Sequence, residues 1–214
     1  MKSYHVLLIC LLLAPSVKAD QKYFFDQSTN TCVDSQGKQG LNEGFFGECG
    51  KVTDQVFKFV EKTKVSLRGL VLERVSFDGF SLYDVDLSYA KFKQINLGSH
   101  SSFSLVRFDS ATLEKLLVPG GIQINRCSFK TALVSDIMGS SIRINESDFR
   151  GSKLVGKGMF SSLTNSDIRD SDFSGTNQYI AQKLDGTRFN SKTLLPPNFN
   201  RDYAVNSKKM VFEQ

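Results

Sequence analysis

The chain has 214 residues, a formal charge of +5, 40% hydrophobic residues and four cysteines. That length is enough for one domain with a real core and excludes a miniprotein held together by disulfides alone. The charge is mild and its basic residues are scattered from Arg68 to Arg188, so it does not by itself point to nucleic acid or an anionic membrane.

Met1 and Lys2 precede an apolar run, Val6 to Ala14, and small residues lead up to Ala19. This pattern predicts a secretory signal over residues 1–19, too short to span a bilayer. Ile9 is bulky where a lipid-anchored Cys10 would need a small neighbour. Cleavage removes Lys2 and Lys18 and lowers the charge from +5 to +3. The expected destination is the periplasm, the cell surface or the medium.

Cys32, Cys49 and Cys127 remain. Cys32 and Cys49 flank a turn-rich stretch containing Gly37, Gly40, Gly44 and Gly47, and an oxidising compartment favours their pairing. A loop of that size is worth about 3 kcal/mol. The alternatives are free thiols or pairing with another chain. No cysteine or histidine spacing supports zinc, and no metal or cofactor is expected. Residues 20–50 are read as a disulfide-containing loop or hairpin module. Its aromatics Phe24, Phe25, Phe45 and Phe46 are the candidate partner-binding residues, or else they pack on the end of the repeat array that begins at Val65. Residues 51–64 read as a capping helix, with Thr53 or Asp54 at its start and Val52, Val56, Phe59 and Val60 on one face.

From Val65 a different period takes over. Leu67, Leu72, Phe77, Leu82, Leu87, Phe92 and Leu97 fall five residues apart without a miss. Five is neither the helical 3.6 nor the strand 2, and it marks an internal repeat. After a slip at Gly98-Ser99-His100 the series resumes as Phe103, Phe108, Leu113 and Val118. After Pro119-Gly120-Gly121 it runs Ile124, Phe129 and Val134, then Ile144, Phe149, Leu154 and Met159. Leu163, Ile168 and Phe173 follow, then Tyr179, Leu184, Phe189 and Leu194. Slips near Gly or Pro are expected to be loops pushed out of one array over residues 65–194. Pro196-Pro197 ends it, and residues 195–214 are a C-terminal cap or tail, with Met210-Val211-Phe212 as a docking strand.

Ser147-Asp148-Phe149-Arg150-Gly151, Ser166-Asp167-Ile168-Arg169-Asp170 and Ser171-Asp172-Phe173-Ser174-Gly175 resemble the units of the pentapeptide-repeat family. The resemblance implies an all-β fold, a right-handed quadrilateral β-helix with four pentapeptides per coil. The central Leu or Phe and the residue two before it then point inward. The chain departs from the family at that second site, where Val65, Leu70, Val75, Phe80, Val85 and Ile95 replace the usual Ala. Large residues at both inward sites predict widened or irregular opening coils. Cys127 falls at the same site and is expected to be a small buried thiol.

No catalytic constellation stands out. His100 lies in a slip and Asp recurs as repeat chemistry. Asn145-Glu146-Ser147 fits a glycosylation pattern that arises by chance at this frequency. The leading expectation is an exported, non-enzymatic scaffold or binding module for a protein or glycan, with no nucleic-acid partner. A homodimer through the solenoid ends is a further expectation. The family also includes topoisomerase inhibitors that imitate duplex DNA, but an export signal and a positive charge disfavour that alternative. A glycan-active enzyme would need two facing carboxylates.

Overall fold

The structure is a computed structural model that describes residues 21–139, 141–156, 160–176, 181–197 and 199–214. The expected signal, Met159 and Tyr179 lie outside the described residues.

The chain is a β-solenoid of about eight turns, with one sheet of sixteen strands and very little helix. Each turn has four walls. On the first wall single bridges run Ser66, Asp86, Arg107, Ser128, Asp148, Asp167 and Arg188, all parallel. On the second, Lys51 pairs with Val71, Val71 with Lys91, Lys91 with Thr112, and the ladder continues through Leu133 and Lys153. On the fourth, Leu82, Phe103, Ile124, Ile144 and Leu163 lie in register. The third carries Phe77, Leu97 and Val118, with Ser76 paired to Asn96 and Val118 to Gly139. Turns stacked about 4.8 Å apart give a rod roughly 40 Å long.

The five-residue period follows from the corners. Two residues after a wall centre the backbone turns through the left-handed region, at Arg74 (φ 52°), Asp84 (φ 53°), Tyr89 (φ 62°) and Gln94 (φ 57°) among others. That conformation is costly for side-chain-bearing residues and persists only where neighbours impose it. Here the next coil does so: Arg74 N donates to Lys93 O at 2.9 Å, Asp84 N to Ser104 O at 3.0 Å and Tyr89 N to Asp109 O at 2.9 Å. Most backbone groups pair with the neighbouring coil, and corner turns such as Leu70 N to Leu67 O and Ala90 N to Leu87 O, both 3.1 Å, satisfy others within one, which is what lets so short a wall bury its backbone.

Both inward columns are buried except at Val65, which is 37% exposed. Phe77, Leu82, Leu87 and Phe92 are at most 2% exposed, and so are Leu70, Val75, Phe80, Val85 and Ile95. The irregularity expected of the opening coils is not seen in their register, which keeps a constant offset from Val56–Ser76 to Thr63–Tyr83. Phe77 and Phe80 stack at 4.4 Å with planes 6° apart, so two large inward residues share the space by lying face to face. A second stack runs Phe108, Phe129 and Phe149 at 5.0 and 4.5 Å. A small apolar cavity of about 30 Å³ sits in the middle of the rod, between Leu116, Ile122 and Ile137.

Later coils replace bulk with hydroxyls in the second inward site. Ser147 Oγ donates to Asn145 O at 3.0 Å and accepts Cys127 N at 3.2 Å. Ser166 Oγ repeats this with Thr164 O at 2.9 Å and Ser147 N at 3.1 Å.

Two boundaries differ from the sequence reading. Residues 51–64 are not a capping helix. They form β4 (Gly50–Thr53) and β5 (Val56–Thr63), preceded by β1 (Phe24–Asp26), β2 (Thr31–Val33) and β3 (Asn42–Glu43). β4 and β5 pair in parallel with Val71–Glu73 and Ser76–Tyr83, so the solenoid begins a full turn before Val65. The apolar stripe that imitates a helix mixes positions of a coil: Val52 and Val60 face inward, Phe59 sits at a corner and Val56 points out at 78% exposure, with Lys62 in a wall-centre position at the open mouth. Leu194 is 53% exposed opposite Asp172, and its neighbours Thr193 and Leu195 turn in there, the Thr193 hydroxyl donating to Ile168 O at 3.1 Å. At the far end, Val211–Phe212 pairs in parallel with Arg188–Phe189 and adds a rung to the first wall.

The slips are ordered as well. Leu97 to Phe103 and Val118 to Ile124 each take six residues, and both turn the corner between the third and fourth walls. Gly98 (φ 66°) and Gly121 (φ 81°) lie in these longer turns. A Cβ on Gly98 would fall 2.3 Å from Phe77 O.

Candidate functional site

The N-terminal module is a hairpin clipped to the side of the rod. β1 and β2 pair antiparallel, with Phe25 opposite Cys32. Asp26 ties their turn, accepting Ser28 N at 2.9 Å and Thr29 Oγ1 at 2.7 Å. The Thr29 hydroxyl, chief among these donors, holds the Asp26 carboxyl below its ordinary range. Asn42 is buried and closes the module: Oδ1 accepts Lys22 N and Tyr23 N, and Nδ2 donates to Tyr23 O.

Cys32 and Cys49 form the expected disulfide, with Cα atoms 5.7 Å apart. It joins the hairpin to the first coil, since Cys49 N donates to Arg68 O at 2.9 Å. Phe25 packs on Tyr89 at 5.3 Å between centroids, and the Arg68 guanidinium lies 5.8 Å from its ring. Between hairpin and rod lies an open cleft of about 350 Å³, lined by Phe25, Asn30, Thr31, Gln39, Val71, Tyr89 and Lys91.

The four candidate aromatics separate into different roles. Phe24 is 50% exposed on the hairpin. Phe25 forms a wall of the cleft. Phe45 is half-buried, folded back over Gly47, where a Cβ would lie 2.3 Å from its ring. Phe46 turns into the bore and packs edge-on against Phe57 (5.7 Å), Phe77 (6.4 Å) and Phe80 (6.2 Å). It plugs the mouth of the tube, with the Lys62 ammonium 5.8 Å above it.

The outer walls also sort by chemistry. The first carries a ladder of ion pairs along its length. Asp86 meets Arg68 at 2.7 Å and Arg107 at 3.2 Å. Asp148 meets Arg150 at 2.7 Å and Lys130 at 3.4 Å. Asp167 takes Arg169 at 2.6 Å and Arg188 at 3.3 Å, and Glu213 of the C-terminal rung closes on Arg169 at 2.6 Å. Burial works against the charge on Asp86, Asp148 and Asp167, but the hydrogen bonds and nearby guanidinium groups outweigh it and hold all three below the usual carboxylate value.

The fourth wall is nearly neutral along its middle five coils. There its two outer columns are Ser81, Ser102, Gln123, Arg143, Ser162 and Tyr83, Ser104, Asn125, Asn145, Thr164, with Glu61 before the first column and Lys183 after it. Sequence reading did not find this sorting. The signal is present, but only when the residues flanking each wall centre are compared one turn apart instead of five residues apart.

Other sequence features fall outside any site. Cys127 is buried, and burial pushes its thiol up to about 12. Asn145 is engaged with Glu146, Thr164 and Asn165, and Ser147 is 2% exposed, so the Asn145-Glu146-Ser147 triplet sits inside a coil. His100 is exposed in its corner. Among the described residues no three His, Cys, Asp or Glu side chains converge to hold a metal.

No protein-family model matches the sequence, and no curated protein matches it. Solved structures do. A trypsin-treated form of QnrB1, a plasmid-mediated fluoroquinolone resistance protein, is 13% identical over 77% of this chain and 92% of its own, with a TM-score of 0.27. HetL from the cyanobacterium Nostoc, a pentapeptide-repeat protein involved in heterocyst differentiation regulation, is 14% identical over 69% and 83%, with a TM-score of 0.26. A pentapeptide-repeat protein from the cyanobacterium Cyanothece is 12% identical over 68% and 90%, with a TM-score of 0.18. Scores this low transfer neither partner nor activity. The coil itself, five residues to a wall and four walls to a turn, makes the chain a four-sided β-solenoid.

Proposed function

We propose that the chain is an exported, non-enzymatic scaffold that binds a protein or glycan partner, with the side-docked hairpin and its cleft as the contact site. The observation that carries this reading is the cleft of about 350 Å³ between Phe25, Tyr89 and Lys91, with Phe24, 50% exposed, next to Phe25 in the same strand of the hairpin. A rigid rod with a stapled appendage presents such a surface at little entropic cost on binding. Export is supported by the Cys32–Cys49 bond, which persists in oxidising compartments. None of the described helices is long and apolar enough to cross a membrane. The DNA-mimic alternative gains nothing from the first wall, whose charges alternate and pair in place of a continuous run of acid.

The test is capture from envelope and surface fractions with the mature chain as bait, wild type against Phe24→Ser and Phe25→Ala. A discrete partner lost from the variants, with their melting curves unchanged, supports the site. Equal capture by wild type and both variants removes it.

A further inference from the structure

We propose that the fourth wall binds an uncharged glycan chain laid along the axis of the rod. This rests on the reading of the chain as a binding scaffold, but it uses a different surface from the hairpin cleft.

The wall differs from the first in what its outer groups have left to offer. First-wall charges are consumed by one another, Asp167 alone meeting Arg150, Arg169 and Arg188. On the fourth wall the side chains of Gln123, Asn125 and Arg143 make no hydrogen bond or ion pair to another described residue. They sit on two adjoining coils, with Gln123 in register with Arg143 and Asn125 with Asn145. Of the ten outer side chains on these five coils only Arg143 is charged. Most of the others are hydroxyls and amides, which donate and accept hydrogen bonds as sugar hydroxyls do.

Spacing and stacking add to this. Successive coils repeat about every 4.8 Å. An extended β-linked pyranose chain advances by nearly the same distance per sugar, so a chain along the axis meets an equivalent row at each residue. At the N-terminal end of the wall Tyr83 is 48% exposed, and Leu105, at the adjoining corner of the next coil, is 41% exposed. Together they offer a flat apolar patch of the kind on which the C–H face of a pyranose packs. A protein partner would call for an apolar centre within the wall, and nucleic acid for a run of cations. The wall has neither.

The experiment is co-sedimentation and affinity electrophoresis of the full mature chain with amorphous cellulose, chitin, mannan and xylan, alongside heparin and polygalacturonate. Retention on at least one neutral polymer is expected, weakened about tenfold by Tyr83→Ala and by Gln123→Ala. Lys93→Ala on the second wall leaves it unchanged. The proposal is overturned by no retention on any of the four neutral polymers, by retention on the polyanions alone, or by retention indifferent to both fourth-wall changes. Loss of retention in Phe24→Ser alone also overturns it, and assigns the glycan to the hairpin cleft instead. Failure here with partner capture intact at Phe24 leaves the scaffold reading standing.

Discussion

A Cβ placed on Gly69 would fall 2.6 Å from the sulfur of Cys32. Gly69 also turns its corner at φ +65°, so the disulfide lands on a corner position where a side chain is excluded twice over. The hairpin is therefore held to the rod by the disulfide seated over Gly69, beside the packing of Phe25 on Tyr89 and Arg68. Gly69→Ala is expected to cost about 1–3 kcal/mol through backbone strain and lost contact. Replacing Cys32 and Cys49 by Ser removes about 3 kcal/mol from the module. Because solenoid coils interact with nearest neighbours, hydrogen exchange should quicken over residues 24–43 and stay slow at Ile144 and Leu163. Equal loss of protection along the whole rod would show that the hairpin is not a separate unit.

Ser152 has a buried hydroxyl with no hydrogen-bond partner among the described residues. Its column holds Ala90, Ala111 and Ala132 in the preceding coils, all at most 1% exposed. Ser152→Ala restores the pattern and removes an unsatisfied polar atom, so it should stabilise the chain by about 1–2 kcal/mol. Ser147→Ala, where the hydroxyl is paired twice, should destabilise it. Urea midpoints that shift in the same direction for both would contradict the assignment.

Asp167 is 5% exposed and bonded to Arg169 at 2.6 Å. Desolvation raises its pKa, but Arg169 and Arg188 prevail and the folded value lies below the ordinary one. A carboxylate of that kind contributes stability above the unfolded pKa of about 3.9, and the contribution is lost as pH falls through the folded value. Asp167→Asn should therefore cost about 1–3 kcal/mol at pH 7, and the gap to wild type should close as pH falls through the lowered folded value. A gap independent of pH would mean that the ladder acts through packing and not through charge.

Cys127 lies 2% exposed inside the bore, with its thiol pushed up to about 12. In the native state it should resist iodoacetamide at pH 8 and react fully in denaturant. The equivalent positions one and two coils on are Ser147 and Ser166, so Cys127→Ser should melt within a few degrees of wild type. Rapid native alkylation would place the thiol outside the tube.

The fold was legible wherever bulk recurs in fives. Leu67 through Leu97 name the walls outright, because no other architecture gives that period. The first coil escaped notice because Lys62 occupies a wall centre, where the bore is open to water, and because Val52, Val56, Phe59 and Val60 fall at helical intervals. Leu194 misled for the opposite reason: it has the right residue type at the right count, but the register has shifted near the end and Thr193 turns in instead. Cys32 and Cys49 could be paired from their flanking glycines, whereas the plug formed by Phe46 could not be told from the exposed Phe24. What separates them is their place relative to the tube mouth, and local sequence does not encode that. The neutral fourth wall was equally hidden, since its members stand about twenty residues apart.

The longer turns at Gly98 and Gly121 share one corner, and the other three walls keep step across them: Phe92 with Leu113, Asp86 with Arg107, Leu82 with Phe103. That edge works as an expansion joint. A gene coding for such a rod can gain or lose a codon there while the pairing phase of every neighbouring rung survives. Differences in coil length, ruinous inside an ordinary sheet, become a permitted direction of drift.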